Sequence, residues 1–102
     1  MEFIEASIFT KVSKGLLEDD DLRRLQTTLA TYPTMGKIIP GTGGLRKLRW
    51  MLDGGGKQGG LRVIYYWVTQ DDLIFLLYAY KKSVQDDITA AELKILRRAL
   101  EE

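Results

Sequence analysis

The sequence contains neither cysteine nor histidine in its 102 residues. The absence of cysteine excludes disulfide bonds and thiolate nucleophiles. Without cysteine and histidine, the chain also has none of the usual nitrogen and sulfur ligands of zinc. Histidine is also the usual general base near neutral pH, so catalysis would have to use Lys, Arg, Tyr, Ser, Thr, Asp or Glu. We therefore expect no metal site, and nothing in the sequence indicates a cofactor.

Long apolar segments are also missing. No run approaches the roughly 18 residues that a membrane helix needs. The first residues, Met1-Glu2-Phe3, do not begin a basic and then apolar secretory signal, so we expect a cytoplasmic protein. A hydrophobic content of 45% in 102 residues suits one domain with one core, spanning residues 1–102.

The net charge of only +1 does not by itself indicate a nucleic-acid-binding protein, but the charges are unevenly distributed. Between positions 37 and 62 the only acidic residue is Asp53. The basic residues there are Lys37, Arg46, Lys47, Arg49, Lys57 and Arg62. Acidic residues cluster elsewhere, at 18–21, 71–72, 86–87 and the C-terminus, which predicts a basic middle with acidic flanks.

Caps and apolar spacing indicate the first elements. A weakly alternating strand over residues 2–9 is followed by a short helix that Ser7 or Thr10 caps. A helix over residues 19–32 begins in carboxylates, which favour a helix N-terminus, and ends before Pro33.

The second half is predicted to be mostly β. After a loop rich in Pro and Gly at 33–44, strands are expected at 45–52, 61–69 and 73–80, and their short connections favour an antiparallel meander. Thr89 and Glu92 fit a capping box that begins a last helix. The order is β-α-α-β-β-β-α, and the fold class is α+β: an antiparallel sheet packed against helices.

Cations are expected to converge on one end of this sheet. Because strand side chains alternate, Lys47 and Arg49 share one face, and the apolar residues between and after them face the core. Arg62 begins the next strand and should lie near both. The cations expected at this end are Lys47, Arg49, Lys57, Arg62, Lys81 and Lys82. A phosphate chain would bind there.

Other interpretations of these residues exist. The cations would also be explained as solvated residues that keep a sheet edge soluble. Against this, Arg62 begins an otherwise apolar strand, and five glycines surround Lys57, which lets backbone approach an anion. The stretch at 54–57 lacks the spacing of a Walker loop, and a helix N-terminus explains the acidic run at 18–21 better than a metal site.

Three stretches, residues 41–49, 56–66 and 76–82, together follow the pattern of a known family. Through them the chain resembles HigB-type toxins of the RelE/ParE superfamily. The resemblance covers most of the chain and implies a RelE-like, microbial-RNase-type domain. Such a domain would enter the ribosomal A site and cleave the codon there by attack of the ribose 2′-hydroxyl on the adjacent phosphate. The superfamily also contains non-enzymatic poisons of DNA gyrase, which is the alternative function.

The resemblance implies roles for individual residues. Arg62 would clamp the scissile phosphate, either Lys47 or Lys57 would be the base, and Lys82 would be a second cation. A lysine among arginines gives up its proton more readily, because like charges disfavour the protonated form. The implied RNA-contacting residues are Arg46, Arg49, Tyr80 and Lys81.

The chain departs from the pattern of this family in two respects, and the resemblance also implies binding partners. The chain is nearly neutral where many relatives are basic, and no tyrosine follows Lys82 in residues 83–87, which leaves the proton donor open. The ribosome would then supply much of the orientation. The expected partners are mRNA, the ribosome and an adjacent antitoxin, often a helix-turn-helix protein, whose complex with the toxin would bind operator DNA.

Overall fold

A computed structural model describes residues 1–52 and 60–101 and contains five strands and three helices in those ranges. In chain order the elements are β1 (Glu2–Glu5), α1 (Ser7–Ser13), α2 (Asp19–Thr31), β2 (Lys37–Ile38), β3 (Arg46–Trp50), β4 (Leu61–Val68), β5 (Leu73–Lys81) and α3 (Ala90–Ala99). The predicted α+β class is confirmed. No helix in these ranges is long and apolar enough to cross a membrane.

The five strands form one mixed sheet in the order β1-β5-β4-β3-β2. Strands β3, β4 and β5 are an antiparallel meander, as their short connections predict. Strand β1 pairs with β5 in parallel and forms one edge of the sheet. The sequence predicted a purely antiparallel sheet and did not include this parallel pairing. The pairing of β1 with a strand some seventy positions away leaves no local signal in the sequence.

The N-terminal strand is shorter than predicted. It ends at Glu5, and α1 already begins at Ser7, so the expected strand over residues 2–9 is wrong in its second half. Ala6 is the N-cap and has no side-chain cap, so neither Ser7 nor Thr10 has the predicted capping role. The helix buries Phe9 completely, and this burial outweighs the weak alternation seen in the sequence.

The other two helices begin as predicted. In α2 the Glu18 side chain accepts from the N3 backbone and the Asp21 side chain accepts from the N-cap backbone, so the acidic run is a capping box. In α3 the Thr89 hydroxyl accepts from the Glu92 N–H at 3.1 Å, and the Glu92 carboxylate accepts from the Thr89 N–H at 2.8 Å. Strand β2 was predicted as loop, because its two exposed residues show no alternation.

The sheet has an apolar cluster on each face. On the face covered by α2, here called the α2 face, Leu25 and Leu29 pack against strand residues that include Leu48 and Trp50, as predicted for β3. On the opposite face, here called the α3 face, Leu96 packs against strand residues that include Ile64. The α3 face therefore carries both a core and the side chains that alternate with Leu48 and Trp50.

Candidate functional site

A row of three side chains crosses the end of the sheet on the α3 face. Arg49 of β3 lies directly opposite Arg62 of β4, and Arg62 lies directly opposite Tyr80 of β5. Arg49 is exposed, Arg62 is half-buried and Tyr80 is buried, with 5% of its surface accessible. The predicted placement of Arg62 beside Arg49 is thus observed, and Arg62 is partly buried as its position in an apolar strand suggested.

The two arginines of this row bring like charges together across neighbouring strands. Within residues 1–52 and 60–101, neither Arg49 nor Arg62 forms an ion pair. The Arg62 guanidinium makes one long hydrogen bond, 3.4 Å from Nη1 to the carbonyl of Leu61. Like charges directly opposite each other on neighbouring strands are destabilising. An anionic ligand bound between Arg49 and Arg62 would therefore relieve the repulsion between their charges.

Lys47 lies in the next row of the same face and is ion-paired. It is opposite Ile64 on β4, and its Nζ donates to Asp87 Oδ1 at 3.0 Å. The same carboxylate oxygen accepts from the Ile88 backbone N–H at 2.8 Å and from the Tyr80 hydroxyl at 3.4 Å. Asp87 thus connects Lys47, one of the two candidate bases, to Tyr80 at the end of the arginine row.

These contacts shift the pKa values of the Tyr80 hydroxyl and the Asp87 carboxyl group. Burial, and then the neighbouring Asp87 carboxylate, raise the pKa of Tyr80 to about 12, while Arg62 acts in the opposite direction. The hydrogen bond from Lys47, followed by that from the Ile88 N–H, holds the pKa of Asp87 below its ordinary value. At neutral pH the site therefore contains a carboxylate and a protonated phenol.

The last two predicted lysines lie at the end of β5 and after it. Lys82 is held by Asp86, since its Nζ donates to Asp86 Oδ1 at 2.6 Å and to the Asp86 carbonyl at 2.7 Å. Lys81 is exposed and lies opposite Leu61, so it belongs to the α2 face, away from the arginine row. Lys57, the other candidate base, lies outside the described residues.

Arg46 is not brought to the cluster. It is opposite Tyr65 on β4, on the α2 face, and its Nη1 donates to the Gly36 carbonyl at 2.7 Å. The buried Tyr65 hydroxyl donates to the Pro33 carbonyl at 2.7 Å and accepts from the Gly36 N–H at 2.8 Å. Arg46 and Tyr65 therefore anchor the loop at 33–36 to the sheet. Gly36 is needed there because a Cβ would stand 2.7 Å from the Tyr65 ring.

The sequence-based prediction missed the acidic part of this site. It placed the acids at 86–87 away from the basic cluster, and this is wrong, because Asp87 binds Lys47 and Asp86 binds Lys82. The chain turns back after β5, with the N–H groups of Val84 and Gln85 both donating to the Lys81 carbonyl. The spacing of Lys82 and Asp86 was the one available signal, since residues four apart meet when the backbone turns.

Comparison with known proteins gives the family. A family-level sequence comparison matches residues 6–101 to the family described as the RelE toxin of the RelE/RelB toxin–antitoxin system. This chain belongs to the RelE toxin family. It is a toxin of a toxin–antitoxin system, and membership implies an antitoxin partner.

A solved structure agrees with this fold assignment. The RelE-family chain is similar to the Escherichia coli toxin RelE, a double arginine-to-alanine mutant in the free state, with a TM-score of 0.58 and 13% sequence identity. The match covers 83% of this chain and 86% of that chain. At this identity the likeness concerns the fold, and the predicted RelE-like architecture is confirmed by it.

Proposed function

We propose that this RelE-family toxin is a ribosome-dependent mRNA endonuclease of HigB type that cuts codons in the ribosomal A site. The observation that carries the proposal is the cross-strand pair of Arg49 and Arg62, which has no acidic partner in the described parts of the chain. Two unneutralised guanidinium groups side by side suit a phosphodiester, whose oxygens accept from the planar donor forks.

The reaction needs three groups around one phosphate. As the 2′-oxygen bonds to phosphorus and the bond to the 5′-oxygen breaks, a base takes the 2′-hydroxyl proton and another proton reaches the 5′-oxygen. The negative charge that develops on the phosphorane oxygens lies best against fixed cations. Arg62, half-buried and flanked by Arg49, is our candidate for this clamp.

Lys47 is the candidate base among the described lysines, because it shares the sheet face of the arginine pair. In the free protein it is an ammonium group paired with Asp87, so this pair has to break and the proton has to leave to solvent before Lys47 can act as a base. A bound phosphate would compete with Asp87 for Lys47, and the carboxylate would then be free to move away. Lys57 keeps its place as the alternative base predicted from the sequence.

Tyr80 supports this site as a positioning residue. It is buried, so it offers little ring surface for stacking on a base, and its hydroxyl points to Asp87. A pKa raised to about 12 keeps its phenol protonated and able to donate at all physiological pH values. Asp87, which reaches this row through Tyr80, is a carboxylate paired with Lys47 and has no proton to give. We propose that water protonates the departing 5′-oxygen while the ribosome orients the RNA.

Arg62→Ala tests the proposal, with Arg23→Ala as the matched control. Arg23 is an exposed arginine of α2, paired with Asp20, on the other side of the sheet. The Arg62→Ala variant should lose growth arrest in bacteria and lose codon-specific mRNA cleavage in a translation reaction, mapped by primer extension, whereas Arg23→Ala retains both. Circular dichroism and thermal melting establish that both variants are folded.

Two results would contradict the proposal. A folded Arg62→Ala variant that cleaves mRNA as fast as wild type would show that the arginine row is not the site. Growth arrest with loss of DNA supercoiling and intact mRNA would support the alternative, a gyrase inhibitor on the same fold.

We further propose that the antitoxin is a helix-turn-helix protein and that its complex with the toxin binds operator DNA. A gel-shift assay with the DNA upstream of the toxin and antitoxin genes tests this proposal.

A further inference from the structure

A second basic feature lies on the α3 face, away from the arginine row. A cavity of about 420 Å³ separates the loop at 40–43 from helix α3. Lys94 and Arg97, one helical turn apart on α3, line it, and none of the described residues that line it is acidic. Neither cation forms an ion pair within the two described ranges of the chain.

The Arg97 side chain is held in place before any ligand arrives. Its guanidinium carbon lies 5.3 Å from the centre of the Tyr66 ring, a cation–π contact. Gly43 packs against the same group, since a Cβ at that position would be 3.3 Å from the guanidinium carbon. Gly43 also has φ of +72°, which disfavours any other residue. A fixed guanidinium loses little entropy when it binds an anion.

The cavity shares a sheet face with the proposed cleavage site. Tyr66, beneath Arg97, packs in the apolar cluster of the α3 face, the face that also carries Arg62. Arg62 and Tyr66 are four positions apart on β4, which corresponds to about 13 Å along a strand. A single strand of RNA lying across the arginine row would reach this cavity within a few nucleotides.

We propose that this cavity is a second phosphate site, which binds the backbone of the RNA beside the segment that is cut. The inference rests on the proposed function, because it takes RNA as the substrate. Arg97 offers the oriented donor fork and Lys94 a mobile charge, and each would add one cation contact to the RNA backbone. Their role is to fix the position of the RNA, and the reacting atoms stay at the arginine row.

Lys94→Ala tests the site, because Lys94 is exposed and its truncation leaves the core intact. The matched control is Arg98→Ala, which removes one exposed cation from the same helix but lines a different cavity. Binding of a short single-stranded RNA with 2′-O-methyl groups, which cannot be cut, is measured at several salt concentrations. Lys94→Ala should weaken binding and reduce the salt slope by about 0.7, so the affinity lost between roughly 50 and 200 mM salt becomes about 2.6-fold smaller.

Further measurements separate this inference from the proposed function. The backbone amide of Gly43 should shift in NMR spectra when the RNA is added, and Arg97→Lys should diminish that shift. If wild-type protein cleaves mRNA on ribosomes while Lys94→Ala binds RNA as Arg98→Ala does, the second site is wrong and the nuclease stands. If no mRNA is cut but Lys94→Ala still lowers RNA affinity, the nuclease is wrong and the RNA site stands. An acidic peptide that shifts Gly43 where RNA does not would overturn the inference.

Discussion

The ion pair between Lys47 and Asp87 makes a specific prediction about RNA affinity. In the free protein the two side chains meet at 3.0 Å, with 35% and 63% of their surfaces accessible. If a phosphate takes the place of Asp87 beside Lys47, this pair has to break first. Asp87→Asn removes the competing charge and keeps an oxygen that can accept from the Ile88 N–H, so the fold should be retained.

The exposure of the pair sets the size of the effect. Ion pairs with this much solvent contact contribute roughly 0.2–1 kcal/mol. Removing that competition should therefore strengthen RNA binding by about 1.4- to 5-fold, since about 1.4 kcal/mol corresponds to a factor of ten. Fluorescence anisotropy with a non-cleavable single-stranded RNA at constant salt measures the change.

Asp20→Asn provides the control for net charge. It alters the formal charge by the same amount, but Asp20 is 93% exposed on α2, where it pairs with Arg23. At physiological salt a charge more than about 8 Å from the RNA is largely screened, so its effect on affinity should be small. Equal gains in the two variants, or weaker binding by Asp87→Asn, would refute the competition between Asp87 and phosphate.

Two further predictions concern the tyrosines. Tyr65→Phe leaves the buried Gly36 N–H and the partly buried Pro33 carbonyl without the tyrosine hydroxyl as a partner, and it should lower the free energy of unfolding by about 2–3 kcal/mol in urea denaturation. The control is Tyr78→Phe, whose hydroxyl makes no hydrogen bond in the described residues and which should stay close to wild type. Because the pKa of Tyr80 is raised to about 12, its neutral form adds stability below pH 10 that is lost as the pH rises towards 12, and a tyrosine Cζ NMR titration should place its ionisation there. In Asp87→Asn that ionisation should move to lower pH, and ionisation of Tyr80 near pH 10 in the wild type would contradict its burial beside a carboxylate.

The sequence alone determined most of the helices and strands, the sheet face of Lys47 and the placement of Arg62 beside β3. Period-two alternation in β3 assigned Leu48 and Trp50 to the core and Lys47 to the opposite face, because alternation is a local property of a strand. The start of α2 was predicted from its run of carboxylates and the start of α3 from the capping box of Thr89 and Glu92, because both signals lie within one helical turn of sequence. The meander then placed Arg62 next to β3, because short connections leave few ways to pair neighbouring strands.

Only the tertiary structure decided which charges meet. The parallel pairing of β1 with β5 and the contact of Lys47 with Asp87 join residues about 40 or more positions apart, and no periodicity records such pairings. Alternation along β3 already places Arg46 on the face of Leu48, but its hydrogen bond to the Gly36 carbonyl, which holds the loop at 33–36, depends on the folded chain. Local patterns record which face a residue occupies, whereas its electrostatic partners depend on how distant segments pack. The carboxylate that restrains Lys47 in this RelE-family toxin was therefore visible only in the folded chain.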